Sequence, residues 1–285
     1  MVNEFTEKDL YDVPNNEQYL PYKEELISMV KEVQTLPYSD VYVNSFDGAR
    51  LHGRYYKGNA GMPLKIMFHG YKSSAWRDFS GGLTLAVANG FSVLAVDQRA
   101  HGESEGKCLT FGVKERKDCL AFVNYAIEQY GSDVEIILMG MSMGAATVLM
   151  AAGPELPKNV IGIIADCGYS SPKAIIKSVI ADMRLPQFPF YLLVRLGGIL
   201  YGGFDIESAS AAETMKNCKV PVLFIHGIAD RFVPVDMGKD NYNACASVNK
   251  KIFLVENAGH GMSFVLDKNG YIKATEDFEK SIIKG

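Results

Sequence analysis

The sequence predicts an α/β fold with a mostly parallel central sheet, and three observations lead to this prediction. Six short apolar runs recur along the chain without polar alternation, which is typical of strands buried on both faces of a sheet. Helical segments separate these runs, and such alternation favours a parallel sheet covered by helices on both sides. More than fifty residues separate the apolar runs at 160–164 and 220–225, which indicates a helical insertion rather than a loop.

The sequence pattern of residues 1–56 differs from the repeated strands and helices of the rest of the chain. Residues 1–36 predict a helical lead-in, because apolar residues recur at helical spacing in its second half. Residues 40–45 and 49–56 each alternate with a period of two, on either side of an Asp-Gly turn. This pattern predicts a β-hairpin, which adds an antiparallel edge to the sheet.

The six apolar runs predict the core strands at 64–68, 92–96, 135–139, 160–164, 220–225 and 251–255. The predicted helices between and after them are 76–89, 113–130, 143–152, 237–247 and 271–283. The interrupting stretch places a helical cap insertion at about 170–215. We expect one α/β domain over residues 1–285 that carries this cap over one end of the sheet.

The composition is that of an ordinary globular protein, with 285 residues, 48% hydrophobic and 22% charged, and a net charge of −4. The slight acidic excess argues against nucleic acid as a partner, because phosphate binding needs clustered basic residues. Five cysteines without a C-x-x-C pair predict free thiols in a reducing compartment, not a disulfide framework. The oligomeric state stays open.

Residues 1–9 and 188–204 are the segments that bear on secretion and membrane insertion. Residues 1–9 are mixed and acidic, so they lack the apolar core of a secretory signal. The longest apolar stretch, residues 188–204, is too short to span a bilayer and is interrupted by Pro189, Arg195 and glycines. We therefore expect a cytoplasmic protein without stable membrane insertion.

A G-x-S-x-G pattern follows the run at 135–139, with Ser142 at its centre between a strand and a helix. That context predicts a sharp turn that holds the serine hydroxyl at the top of the sheet, beside a helix N-terminus. The alternative is a chance Gly/Ser turn. The position between strand and helix favours a nucleophile.

A serine hydroxyl needs a base to take its proton, and the hydrolase order is serine, acid, histidine. Only His226 and His260 follow Ser142 in the sequence. His260 lies in a glycine-flanked loop after the last core strand, which makes it the predicted base. Asp230 is the predicted orienting carboxylate, and Asp166 is its rival, since both lie between the serine and the histidine.

Two backbone N–H groups are predicted to form an oxyanion hole. One belongs to Met143, directly after the nucleophile, and the other to the loop after the strand at 64–68. Gly70 lets that loop turn, so that the Tyr71 N–H points at the developing oxyanion. His69 is predicted to brace the loop without taking part in the chemistry.

Five motifs resemble those of the α/β-hydrolases of the serine hydrolase type. They are His69-Gly70 with Ser73-Ser74, residues 97–104, residues 140–144, residues 226–234, and Gly259-His260-Gly261. The chain is similar to the bacterial esterase and lipase-like branch with serine aminopeptidase-like and Bem46-like members, over about residues 40–285. The resemblance implies the α/β-hydrolase fold, a triad of Ser142, Asp230 and His260, and an oxyanion hole from the Tyr71 and Met143 N–H groups. It implies a structural role for residues 97–104.

The predicted function is hydrolysis of a small-molecule carboxylic ester through an acyl-enzyme, as in a carboxylesterase. Tyr71, Met141, Phe188 and Tyr191 are the predicted substrate-binding residues, and such a lining favours apolar acyl or aryl groups. The sequence has no metal-binding or nucleotide-binding motif, so we expect neither a metal nor another cofactor.

Three alternatives stay open at this point. A small amide or peptide is the main rival substrate, as in an aminopeptidase or amidase. A non-catalytic binding protein on the same fold would be marked by loss of a triad member, whereas all three are present. A lipase that acts at a membrane surface would need an exposed apolar cap, which sequence alone does not show.

Overall fold

A computed structural model of the protein describes residues 17–283. Its strands are β1 (Ser39–Asn44), β2 (Arg50–Tyr56), β3 (Leu64–Phe68), β4 (Ser92–Val96), β5 (Ile136–Met141), β6 (Val160–Asp166), β7 (Val222–Gly227) and β8 (Lys250–Val255). These eight strands form one sheet in the order β1-β2-β4-β3-β5-β6-β7-β8. The part of the predicted lead-in at residues 1–16 lies outside the described residues.

The helices follow in chain order. They are α1 (Lys23–Thr35), α2 (Ala75–Asp78), α3 (Ser80–Ala88), α4 (Glu115–Tyr130), α5 (Met143–Ala151), α6 (Pro172–Asp182), α7 (Gln187–Gly197), α8 (Ala211–Met215), α9 (Val235–Ala244), α10 (Ser263–Leu266) and α11 (Lys268–Ile282). A short 3-10 helix at Leu20–Tyr22 precedes α1, and a π-helical turn at Gly198–Gly202 continues α7.

The sheet is mostly parallel, as predicted. Strand β2 runs antiparallel to both of its neighbours, β1 and β4, and all pairs from β4 through β3 to β8 are parallel. The predicted hairpin of β1 and β2 is therefore confirmed. Its turn passes through Gly48, whose φ of +83° is a conformation that glycine adopts without steric cost.

Helices cover both faces of the sheet, which is why its central strands show no polar alternation. All five residues of β3 are buried, and the same holds for the first five of β5. One apolar cluster joins the sheet to α4 and α5, for example through Phe122 and Leu149. The other joins the opposite face to α1, α3 and α11, through Val30, Leu83 and Phe278. Burial of the apolar side chains in these two clusters is the main favourable contribution to the free energy of folding.

One predicted helix and the ends of three predicted strands differ from the structure for physical reasons. The helix predicted at 76–89 is broken into α2 and α3, because Phe79 between them adopts a non-helical φ/ψ of −106° and 20°. Strands β5, β6 and β7 each end two residues beyond their apolar runs, at Met141, Asp166 and Gly227. Backbone pairing continues past the apolar residues, so that Met141, Asp166 and Gly227 lie at the carboxyl ends of these strands.

The cap consists of α6, α7, the π-helical turn and α8, all between β6 and β7. Arg195 ties it together through ion pairs of 2.7 Å to Asp205 and 2.9 Å to Glu207. The Lys114 ammonium reaches from the body to the Gly202 carbonyl at 3.3 Å. Within residues 17–283, no helix is both long enough and apolar enough to cross a bilayer. That residues 1–285 form a single domain stays a prediction.

Candidate active site

Ser142 occupies the tight turn between the end of β5 and the start of α5. Its φ of 54° and ψ of −114° lie outside the regions that non-glycine residues usually adopt. The Ser142 N–H donates to the Asp166 carbonyl at 2.8 Å, so the neighbouring strand holds the turn in place. This geometry is the strained elbow that the G-x-S-x-G spacing predicts.

The two glycines of the motif are required by close backbone approach. A Cβ atom at Gly140 would overlap the backbone of Gly144, and a Cβ at Gly144 would overlap the Phe68 carbonyl. Backbone atoms cannot move aside as the end of a flexible side chain can. The strand and the helix therefore cross close enough to fix Ser142 only because both positions lack side chains.

We expect Gly144→Ala to destabilise the protein by about 3 kcal/mol or more, because it forces apart β3 and the start of α5. Urea unfolding monitored by circular dichroism measures this change. Gly82→Ala is the matched control, since a Cβ at Gly82 in α3 meets nothing within 4 Å. The control should change stability by about 1 kcal/mol or less, in the stabilising direction. Equal effects of the two variants would contradict the packing argument.

A hydrogen-bonded chain joins Ser142, His260 and Asp230. The His260 Nε2 lies 2.9 Å from the Ser142 Oγ, and its Nδ1 lies 2.7 Å from the Asp230 Oδ2. A carboxylate only accepts, so Nδ1 carries the proton and donates it to Asp230. In the neutral imidazole with this tautomer, the Nε2 lone pair accepts from the serine hydroxyl. The geometry matches that of a nucleophile, a base and an orienting acid.

Asp230 is held as a carboxylate by its surroundings. Burial alone would raise its pKa, but hydrogen bonds from His226 and His260 outweigh this effect and lower the pKa to about 2. Its Oδ1 also accepts from the Phe232 and Val233 N–H groups, both at 2.9 Å. These two bonds fix the carboxylate and leave Oδ2 directed at the imidazole.

Asp166, the rival acid, lies nearby but has different partners. Its backbone carbonyl accepts from Ser142, whereas its side-chain Oδ1 is buried without a hydrogen-bond partner among the described residues. Burial raises the pKa of Asp166 to about 6, against the lowering effect of His226. The structure thus joins His260 to Asp230 and leaves Asp166 beneath the turn.

The other late histidine, His226, braces the turn that carries Asp230. It is buried, and its Nε2–H donates to the Val233 carbonyl at 2.9 Å, with the Asp230 Oδ2 at 3.4 Å from the same nitrogen. A Cβ at Gly238 would overlap the ring, so α9 packs directly on the imidazole. His226 therefore lies close to the same carboxylate oxygen, Oδ2, that accepts from His260.

The loop after β3 brings Tyr71 beside the serine. A Cβ built on Gly70 would lie 3.4 Å from the Ser142 Cβ, which shows how near the two backbones are. The Gly70 N–H donates to the Asp78 Oδ2 at 2.7 Å, and the Lys72 N–H donates to the His101 Nε2 at 3.1 Å. The N–H between them, that of Tyr71, has no acceptor among the described residues.

Met143 is the first residue of α5, so its N–H has no acceptor within the helix. The Tyr71 and Met143 N–H groups, without acceptors among the described residues, thus belong to the two turns that meet at Ser142. That they bind an oxyanion stays a prediction. His69 lies behind them and is fully buried. Its Nδ1–H donates to the Gly70 carbonyl at 2.7 Å and its Nε2 accepts from the Gln98 N–H at 3.1 Å, so it braces the loop.

The four predicted substrate-binding residues lie in different places. Tyr71 is half exposed at the site, and its ring stacks on Phe111. Met141 packs against the apolar cluster on the α1 face of the sheet, near Gly261. Phe188 and Tyr191 lie on the cap, and within residues 17–283 no hydrogen bond or ring contact joins either to Ser142 or His260. Their roles stay predictions.

Three neighbours of His260 were not predicted from the sequence. The Tyr19 hydroxyl, from the lead-in, donates to the His260 carbonyl. The Phe232 ring lies 5.0 Å from the imidazole, centroid to centroid. Cys167 is buried below, with its sulfur within 4.8 Å of both Asp230 and His260 atoms. A tyrosine and a phenylalanine carry no motif of their own, so only the folded chain could reveal the first two contacts.

Cys167, Asp230 and His260 are residue types that could ligate a metal, since their ligand atoms lie within 4.8 Å of one another. The chemistry of this set does not favour one. Burial raises the pKa of the Cys167 thiol well above its ordinary value, and a metal needs the thiolate. The other two groups are already bonded to each other.

Comparisons with known proteins agree with this fold. Residues 66–269 match the model of the alpha/beta hydrolase family, which is more than half of the chain. The chain therefore belongs to the α/β-hydrolase family, and its eight-stranded sheet has the fold of that family. The model of a second family, acetyl xylan esterase, matches residues 2–121, a region that ends before Ser142.

Among curated relatives, Bacillus subtilis YqkD is 30% identical over 190 residues, which are 66% of this chain and 62% of YqkD. The thiohydrolase aneE of Aspergillus aculeatus is 35% identical over 127 residues, 44% of this chain and 40% of aneE. The chain thus spans less than two thirds of these relatives. The Pyrococcus furiosus esterase Pf2001 has a similar fold, with a TM-score of 0.71 at 24% identity over 89% of this chain and 94% of that one.

Proposed function

We propose that this α/β-hydrolase is a serine hydrolase that cleaves small carboxylic esters, with Ser142, His260 and Asp230 as its catalytic triad. The observation that carries the proposal is the continuous hydrogen-bonded chain from the Ser142 hydroxyl through His260 to Asp230. The Tyr71 and Met143 N–H groups, which lack acceptors among the described residues, support the same reaction. A binding protein on this fold would have no need for a charged acid, a neutral base and a strained serine in one line.

In the proposed reaction, His260 Nε2 takes the Ser142 proton as Oγ attacks the ester carbonyl carbon. The carbonyl oxygen becomes an oxyanion that accepts hydrogen bonds from the Tyr71 and Met143 N–H groups. His260 then gives its proton to the departing alcohol, and an acyl-enzyme is left on Ser142. A water molecule, deprotonated by His260, attacks the acyl carbon, and His260 returns this proton to the Ser142 Oγ as the bond to the acyl group breaks and the carboxylic acid leaves. Asp230 stabilises the imidazolium in both halves of the reaction.

An ester with an apolar acyl or aryl group is the proposed substrate class. Large apolar side chains are exposed in the loops that carry the Tyr71 N–H and Asp230, namely Tyr71, Ile228 and Phe232, next to the exposed Lys72 and Arg231. The esterase fold neighbours and the acetyl xylan esterase match are consistent with ester cleavage. A thioester is the second candidate, because the relative aneE is described as a thiohydrolase. Amides are the third, and they need stronger protonation of the leaving group.

A substrate panel tests this ranking. We expect kcat/KM to be highest for p-nitrophenyl esters with short apolar acyl chains, lower for the corresponding thioesters, and at least about 100-fold lower for aminoacyl p-nitroanilides. Release of p-nitrophenol, free thiol or p-nitroaniline is measured with the same purified protein. A highest kcat/KM for an aminoacyl amide would replace the esterase proposal with an aminopeptidase. A highest kcat/KM for a thioester would make the protein a thiohydrolase.

A further inference from the structure

The outer surface of the cap is apolar and exposed. We call this surface the cap face and define it as the solvent-facing side chains of α7 and the π-helical turn. None of the residues of α7 is buried. The most exposed large side chains of the cap face are Phe188 at 78%, Leu193 at 59%, Leu200 at 72% and Tyr201 at 92%. Soluble proteins rarely leave so many large apolar side chains together in water, so the cap face marks an interaction surface.

The exposed side chains cover a wide arc of the helix. Successive residues of an α-helix are about 100° apart, so Leu192, Leu193 and Val194 together span roughly 200°. All three are at least 43% exposed. A helix that docks on one protein surface buries a stripe of about 100° and shows polar residues elsewhere. An arc of this width is better matched by a fluid apolar medium, which can surround the helix from several directions.

The charges of the cap face point to the same medium. Between Pro186 and Phe204 the only charged residue is Arg195, which pairs with Asp205 and Glu207, and Lys173 pairs with Glu207 as the second cation of this network. Lys114, Lys177 and Arg184 lie at the border, together with the acidic Asp182. The apolar side chains of the cap face thus carry no unpaired charge that would select an acidic or basic protein, whereas they suit the apolar interior of a zwitterionic lipid surface.

The cap face is also connected to the candidate active site. Gly202, at its end, accepts from the Lys114 ammonium and lies 3.8 Å from the Cys108 sulfur. Phe111, in the same loop as Cys108, stacks on the Tyr71 ring with an interplanar angle of 9°. A surface that held the cap face would therefore lie next to the loop that borders Ser142.

We propose that the cap face inserts into the surface of zwitterionic lipid, such as a phosphatidylcholine bilayer, without crossing it. The apolar side chains of α7 and the turn enter the region of the acyl chains, and Tyr201 lies where its ring contacts lipid and its hydroxyl contacts water. This docking does not depend on the proposed ester cleavage, and it would bring membrane-dissolved esters to the site.

Vesicle flotation with the purified full chain tests the proposal. Phosphatidylcholine vesicles should carry the protein upward in a density gradient, to a similar extent at 0.15 M and 1 M salt. The double variant Leu193→Glu/Leu200→Glu should bind at least about tenfold less, because two charges must enter the lipid. Val248→Glu is the control. Val248 is fully exposed before β8, at the opposite edge of the sheet from Ser142, so its substitution should not alter flotation.

The outcomes separate the lipid from other partners. Failure of the wild-type protein to float would overturn the proposal, and so would flotation that needs phosphatidylglycerol and is lost in 1 M salt. A dimer in sedimentation velocity that the double variant dissociates, without flotation, would assign the cap face to a second copy of the chain. Both variants replace exposed residues, so unchanged thermal unfolding confirms that they are folded. Ser142→Ala should float like the wild type, which keeps this test apart from that of the proposed reaction.

Discussion

Ser142→Ala is expected to lower kcat for a short p-nitrophenyl ester by about 10⁴-fold or more, because the acyl-enzyme cannot form without the serine oxygen. No neighbouring group can take its place. The Cys167 sulfur lies within 4.8 Å of His260, but it is buried and its pKa is raised, so it stays a protonated thiol. The measurement is initial-rate kinetics with purified protein, with circular dichroism to confirm the fold.

A matched serine provides the control for this loss. Ser263 lies in α10, is as buried as Ser142, and its Oγ has no hydrogen-bond partner within residues 17–283. Ser263→Ala removes the same atom without breaking a bond, so its rate should stay within about threefold of the wild type. If Ser142→Ala kept most of the activity, another residue would have to be the nucleophile and the proposed reaction would be wrong.

Asp230→Asn is expected to lower kcat by about 10³- to 10⁴-fold. The amide is neutral, so it no longer stabilises the imidazolium. To keep the Phe232 and Val233 N–H bonds on its oxygen it must also turn its NH₂ toward His260, which favours the wrong tautomer. Kinetics with the same ester measure the loss.

Asp166→Asn is the comparison for Asp230→Asn, since it makes the same chemical change in a buried carboxyl group a few ångströms away. Asp166 has no hydrogen bond to His260, and its link to Ser142 runs through the backbone carbonyl, which the substitution leaves in place. We expect a decrease of less than about tenfold. The opposite order of effects would transfer the role of the orienting acid from Asp230 to Asp166.

The strands and the serine turn could be predicted from the sequence because their signals are local. Continuous apolar runs located all six core strands, since a strand covered on both faces needs no polar residues. The glycines at 140 and 144 located the turn, because no other residue allows that backbone approach. The end of the α2 helix could not be predicted in this way, because Phe79 is compatible with a helix and leaves it only in the folded chain.

Pairs that are distant in sequence were harder to predict. Asp166 and Asp230 both satisfied the order of the triad, and only tertiary structure determined which one His260 contacts. The Tyr19 contact to His260 joins residues 241 positions apart and has no local signal. The apolar residues of the cap show a third limit. Phe188 was predicted to bind substrate because it is apolar, yet its side chain is largely exposed in the structure, and hydrophobicity alone does not say what covers an apolar side chain.

The most direct test of the proposed function is the mass of the protein after reaction with diethyl p-nitrophenyl phosphate, which phosphorylates an activated serine. The proposed triad predicts one diethylphosphoryl group per chain, located on the peptide that contains Ser142, with parallel loss of ester hydrolysis. It also predicts no adduct on Ser142→Ala. Ester hydrolysis by a protein that gains no adduct, or an adduct on a residue other than Ser142, would contradict the account.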